Sequence, residues 1–134
     1  MSTPPIIAII PMKPLEESKS RLAPVLDRQQ REALAFSMLR WVLQVSMASE
    51  VHQTWVVGGG RPVWELAEQE GASWRPDVSG ELNSCLANEF KRSFEQEMAP
   101  LYLPADLPLL SLEELDGLAV KFGSGLEPII APDA

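Results

Sequence analysis

The chain has 134 residues, 46% of them hydrophobic and 22% charged, with a formal net charge of −8. That is the make-up of one ordinary globular domain able to bury a core. The negative balance speaks against a general nucleic-acid-binding surface, whose affinity comes from neutralising phosphates, yet a local cationic loop can still hold a small anion. No apolar run nears the roughly 18 residues that span a bilayer, and the first ten residues carry no basic n-region. The single cysteine, Cys85, excludes an internal disulfide framework and fits a reducing compartment. A cytoplasmic chain that binds neither nucleic acid nor membrane is expected.

In chain order, the run Ile6-Ile7-Ala8-Ile9-Ile10 predicts a buried strand over 5–10 that stops at Pro11. A long loop follows, carrying Lys13, Lys19 and Arg21. Asp27, with Gln30 three residues on, forms an Asp version of the capping box. Leu34, Met38, Trp41, Val42 and Val45 then recur at helical spacing, so a helix runs from Arg28 to Met47. Gln53 to Val57 is rich in strand formers and stops at Gly58-Gly59-Gly60. Pro62 suits the first turn of a helix whose apolar side is Val63, Leu66 and Ala67 and which Gly71 ends. A short strand is expected over 72–75. The polar stretch from Pro76 to Gly80 leads to a helix over 82–98, with Leu86, Phe90 and Phe94 at four-residue spacing. A strand over 101–104 is broken by Pro104. Ser111 with Glu114, and Leu110 with Leu115, give a capping box and staple for a helix to Phe122. Pro128 to Ala131 is a last strand.

Regular alternation of strand and helix implies a mainly parallel, Rossmann-like sheet with helices on both faces, a three-layer α/β/α sandwich in a single domain over 1–134. The doubly wound order would bring the first and fourth strands together at a switch point, with the site at their carboxyl ends. A long cationic loop after the first strand is where such a protein would hold a phosphorylated ligand. Lys13, Lys19 and Arg21 can cradle a triphosphate, two ammonium groups beside a guanidinium that grips oxygens bidentately. Backbone N–H groups around Ser18 and Ser20 can add donors. The competing reading, a solvated loop whose cations pair with Glu16 and Glu17, stands at even odds on spacing alone.

Asp106, framed by prolines in Leu-Pro-Ala-Asp-Leu-Pro, can hold a hard cation such as Mg²⁺; a turn Asp beside Pro is the plain alternative. Asn83 can reach a base or ribose from a helix start, or be an ordinary polar first-turn residue, the simpler choice on composition. Gly58-Gly59-Gly60 lacks both G-x-G-x-x-G and the P-loop pattern and reads as a flexible turn. His52 and Cys85 lack the neighbours of a zinc site or a catalytic pair. The four tryptophans read as packing rather than nucleotide stacking.

Together, IIAIIPMKPLEESKSRLAPVLDRQQREALAFSMLRWVL, GELNSCL, LYLPADLPLLSLEEL and IIAPD resemble the 2-phospho-L-lactate guanylyltransferase family, within the MobA-like nucleotidyltransferase superfamily of nucleotide-diphospho-sugar transferase fold. The resemblance covers essentially the whole chain. It implies transfer of GMP from GTP to 2-phospholactate, phosphoenolpyruvate or 3-phosphoglycerate, with release of pyrophosphate, in the synthesis of a deazaflavin coenzyme. It assigns Lys13, Lys19 and Arg21 to the catalytic phosphate-binding loop that opens at Pro11, Asp106 to the Mg²⁺, and Asn83 to the nucleotide. Asp133 is a less specific match.

Three departures accompany the match. Glu81 lies between Gly80 and Leu82-Asn83, Trp41 stands where relatives commonly carry Asp, and relatives continue past the Pro-Asp pair into a Gly-Thr-Asn segment. The expectation is therefore a C-terminally shortened relative that binds GTP in a Mg²⁺-dependent way and transfers weakly or not at all. The alternative is a nucleotide-binding or interaction module without turnover, whose uncovered sheet edge a second copy could cover.

Overall fold

Ile6 to Ile10 are all buried, as an unbroken apolar run must be in a strand covered on both faces. In the computed structural model, which describes residues 4–13, 23–105 and 129–130, they open β1 (Ile6–Met12), the middle strand of a five-stranded sheet. The other elements follow in chain order: α1 (Arg28–Ala48), β2 (Gln53–Gly58), α2 (Arg61–Glu70), β3 (Ser73–Arg75), α3 (Leu82–Glu95), β4 (Ala99–Tyr102) and β5 (Ile129–Ile130). The strand order is β3-β2-β1-β4-β5. All four pairings are parallel. The first strand thus lies between β2 and β4, as the doubly wound order requires. No helix among the described residues is long and apolar enough to cross a membrane.

Alternation along β1 splits the core in two. Ile6, Ala8 and Ile10 share a cluster with Leu39, Val42 and Leu43 of α1 and with Val63 and Leu66 of α2. Ile7 and Ile9 share the opposite cluster with Trp55, Val57, Cys85 and Met98, and Leu86 and Phe90 of α3 pack against it. Among the described residues, two helices on one face and one on the other make the three layers. The start of α1 is fixed by its capping box: the Gln30 N–H donates to Asp27 Oδ1 at 2.7 Å, and the Asp27 N–H donates to Gln30 Oε1 at 3.0 Å.

Several boundaries move from their sequence expectation, each for a physical reason. β1 does not stop at Pro11 but runs on to Met12, with Pro11 opposite Val57. In a parallel strand the N–H and C=O of one residue point to the same neighbour. The carbonyls of Pro5 and Ile9 accept from Ala99 and Leu103, while Ile6 accepts from His52. Pro11 belongs to the β4-facing set, so its missing N–H costs no bond to β2. α3 ends at Glu95, three residues short of Met98. Glu97 takes a positive φ of 58°, which turns the chain and drops Met98 into the core at 4% exposure. β4 starts at Ala99 rather than 101, and its Pro100 pairs opposite Ile7. The expected helix from Ser111 to Phe122 lies outside the described residues.

Candidate functional site

Because the strands are parallel, Met12, Gly58, Arg75 and Tyr102 bring their carboxyl ends to one edge of the sheet. The chain leaves β1 there through Lys13, which is exposed. It leaves β2 through Gly58-Gly59-Gly60. It leaves β3 through Pro76 to Gly80, which delivers the start of α3, and it leaves β4 through Leu103 to Ala105.

These exits are built against one another. Gly58, Gly59 and Gly60 all have positive φ, between 78° and 87°. A methyl group at Gly58 would stand 2.5 Å from the Met12 carbonyl oxygen and 3.2 Å from Asp77 Cβ. One at Gly59 would stand 2.5 Å from Val63 Cγ2 and 3.1 Å from Met12 Cβ. The triplet is therefore a packed turn rather than the flexible one its composition suggests. Trp74 Nε1–H donates to the Gly58 carbonyl at 2.8 Å, and the Trp74 ring stacks on Trp64 with centroids 5.7 Å apart.

The third exit is organised by Asp77. Its Oδ1 accepts from the Ser79 N–H at 2.9 Å, the Ser79 hydroxyl at 2.7 Å and the Gly80 N–H at 3.3 Å. Partial burial pushes the carboxyl up, but the bonds from the Ser79 side chain and from the two backbone N–H groups outweigh it and hold Asp77 below its ordinary value. The turn ends at Glu81, the residue before α3, whose side chain makes no capping bond. Asn83 follows in the first turn and is exposed.

Alongside α3 lies a cleft of about 370 Å³ whose lining includes Val57, Arg75, Asp77, Cys85, Glu89 and Arg92. The Glu89 carboxylate, with its side chain 5% exposed, is held by Arg75 Nε at 2.8 Å and Arg92 Nε at 3.4 Å. The Arg75 guanidinium also lies 4.2 Å from the centroid of the Trp55 ring, a cation–π contact strengthened by desolvation. Arg75 Nη2 is buried without a hydrogen-bond partner among the described residues. Burial, with Asp77 and Glu89 nearby, pushes the Cys85 thiol up to about 11. Cys85 therefore stays a buried thiol. His52 is exposed before β2 begins, at the sheet's other edge, and its N–H donates to Ile6.

Of the residues singled out from sequence, Pro11, Lys13 and Asn83 fall at the carboxyl edge. Lys19, Arg21, Asp106 and Asp133 lie outside the described residues. The described chain follows β4 as far as Ala105, and the Leu103 N–H donates to the Ile9 carbonyl at 2.9 Å. No group of three or more His, Cys, Asp or Glu that could hold a metal ion occurs among the described residues. Sequence reasoning passed over Asp77, although Asp with Ser two and Gly three residues on is the composition of an Asx turn. It also passed over the Arg75–Glu89 pair, for which the sequence carries no local signal, since the partners are joined only by tertiary packing.

The chain is similar to the phosphoenolpyruvate guanylyltransferase of Roseiflexus sp. strain RS-1, with 36% identity over 127 residues, 95% of this chain and 57% of that protein. It is 27% identical over 128 residues to the 2-phospho-L-lactate guanylyltransferase of Methanocaldococcus vulcanius, covering 95% of this chain and 56% of that protein. The chain thus spans little more than half the length of these relatives. Among solved structures, a protein from Desulfovibrio desulfuricans G20 described as a nucleotide-diphospho-sugar transferase superposes with a TM-score of 0.69 at 13% identity, over 84% of this chain and 52% of that one. That likeness establishes the shared fold. The family model described as guanylyl transferase, CofC like, matches residues 6–134, and with it the strand order, the exits at the carboxyl edge and the sequence motifs agree: the chain belongs to the CofC-like guanylyl transferase family.

Proposed function

We propose that the carboxyl edge of this sheet binds GTP and serves transfer of GMP to a small phosphorylated acid, with release of pyrophosphate, in deazaflavin coenzyme synthesis. The observation that carries this reading is the pairing of β1 with β4. It makes the cationic loop that begins at Lys13 and the segment that leads to Asp106 leave neighbouring strands on the same side. In-line attack by an acceptor phosphate oxygen on the α-phosphorus of GTP asks the protein for positioning and charge neutralisation rather than a covalent nucleophile. Lys13, Lys19 and Arg21 would neutralise the triphosphate, and Asn83 would contact the nucleoside from the start of α3.

The donor set suits Mg²⁺, which takes one or two carboxylates and completes its shell with water and substrate phosphates. Asp77 is committed to its own turn; Asp106, which the sequence resemblance assigns to the metal, is the carboxylate that would hold the ion. When bound, Mg²⁺ supplies charge neutralisation at the phosphates. The relatives named above act, by their names, on phosphoenolpyruvate and on 2-phospho-L-lactate; these, with 3-phosphoglycerate, are the acceptors to offer.

The test is to incubate the purified chain with GTP, Mg²⁺ and each acid and to follow pyrophosphate. Acceptor-dependent release that Asp106→Asn and Lys19→Ala each abolish supports the reading. Tight GTP binding with no release under any acceptor would leave a nucleotide-binding module, and failure to bind GTP would sink both.

A further inference from the structure

We propose that Gly58 is a positioning residue that sets the spacing between two parts of the nucleotide site, Lys13 at the end of β1 and the Asp77 turn that delivers Asn83. The inference rests on the nucleotide-site reading above. It starts from a place where three separate exits of the sheet meet at one atom-sized gap. Gly58 is paired with Met12 in the β1–β2 register. The space its missing side chain leaves is bounded by the Met12 carbonyl oxygen on one side and Asp77 Cβ on the other. Its own carbonyl accepts from Trp74 Nε1, on β3 three residues before Asp77. From Asp77 the hydrogen bonds continue through Ser79 and Gly80 to Glu81, the residue before α3.

A side chain at 58 cannot be relieved by a flexible tip, because the 2.5 Å neighbour is backbone. Relief must come from moving Met12, and Lys13 with it, or from moving the Asp77 turn. Either shift changes the separation of Lys13 from Asn83. An ångström of misplacement at a reacting site costs on the order of a hundredfold in rate.

Positive φ alone does not have this effect, and Gly71 supplies the comparison. Its φ of 86° matches that of Gly58. It closes α2 before β3 begins, at the sheet's other edge, and a methyl group there meets Met47 Cε at an ordinary 3.4 Å. Both Gly58→Ala and Gly71→Ala carry the strain of an L residue in left-handed backbone. Only the first closes the gap between the loops.

The experiment measures GTP affinity by calorimetry, melting temperature, and the backbone amide shifts of Lys13 and Gly80 in the ligand-free chain. Both variants should melt lower than the parent. Gly58→Ala should weaken GTP on the order of tenfold to a hundredfold, the worth of one hydrogen bond to a charged group, and move both amides, while Gly71→Ala leaves affinity and both amides at parent values. Trp74→Phe keeps a ring on Trp64 and removes the bond to the Gly58 carbonyl. It should weaken GTP by about twofold to tenfold, the worth of one net hydrogen bond, and it carries the test if Gly58→Ala does not fold. Parent-like amides at Lys13 and Gly80 in Gly58→Ala, or equal losses of affinity in the two glycine variants, would overturn the proposal. A parent chain that binds no GTP removes the site reading instead, and the amide shifts still decide whether the two loops are coupled through residue 58.

Discussion

Beneath α1 and α2 the sheet is closed by aliphatic side chains, with Leu39, Val42, Leu43 and Val63 at 0% exposure, and the buried hydroxyls of Ser46 and Thr54 satisfy one another at 2.6 Å. Beneath α3 the same sheet carries an ion-paired carboxylate, a guanidinium over an indole and a buried thiol. The first face is specified by volume, the second by pairing. The second is also the one that continues into the Asp77 turn. Apolar packing anchors both faces, and among the described residues the buried ion pair that lies beside the site entrance belongs to the α3 face.

The contrast can be broken first on the dry side. Leu43→Ala removes a fully buried side chain and should cost about 2–5 kcal/mol, read as a lower urea midpoint at constant slope. A loss well under that range would mean the layer relaxes to fill the space.

On the paired side, Arg75→Met leaves the Glu89 carboxylate with only its longer contact to Arg92. Arg75 itself is 31% exposed, so solvent can take over part of its role, and about 1–3 kcal/mol is expected. Joint replacement, Arg75→Met with Glu89→Leu, should recover most of that loss, since removing a buried pair entire is often close to neutral. Additive losses would show that Glu89 matters through packing rather than through its charge.

Proton linkage sharpens the comparison further. Folding lowers the Asp77 pKa from its ordinary 3.8. The folded state therefore holds fewer protons on this group than the unfolded chain, and its stabilising contribution is complete above that ordinary value. It disappears as pH falls through the lowered native value. The stability gap between the parent and Asp77→Asn should thus be present at neutral pH and vanish in acid, measured by thermal melts across an acid series. A gap that persists at the acid end would place its origin in shape rather than charge.

Cys85 runs the other way. Its pKa is raised from 9.0 to about 11. Its contribution is complete below 9.0 and fades as pH climbs through about 11. The native thiol should resist alkylation at pH 8 and react once the chain is unfolded in urea. Prompt native labelling would mean the α3 face is wetter than its packing implies.

Much of this architecture could be read from the chain because local signals agree with the tertiary outcome. An unbroken apolar run became the central strand, and Asp27 with Gln30 became the cap of α1. The misreadings share one cause: residues whose local meaning is reversed by a neighbour in space. Pro11 reads as a stop, yet its missing N–H faces away from β2. Gly58 reads as freedom, yet Met12 and Asp77 enclose it. At the candidate site, Lys13 and Asn83 were found by motif and fall at the expected edge, while Lys19, Arg21 and Asp106 lie outside the described residues. The Asp77 turn carries a fainter signal, only the spacing of Asp77, Ser79 and Gly80 within a polar stretch.

The central position of β1 has a consequence for how the chain is born. Its first neighbour, β2, follows after one helix, but the strand that covers its other edge is β4, ending at Tyr102. At roughly 5–20 residues per second of synthesis, the β4-facing edge of β1 waits on the order of 5–20 seconds for its partner. During that interval the backbone carbonyls of Pro5 and Ile9, later bonded to Ala99 and Leu103, are open beside an isoleucine-rich ribbon. An uncovered edge of this kind is a template for pairing between nascent chains, a hazard that ends when β4 docks.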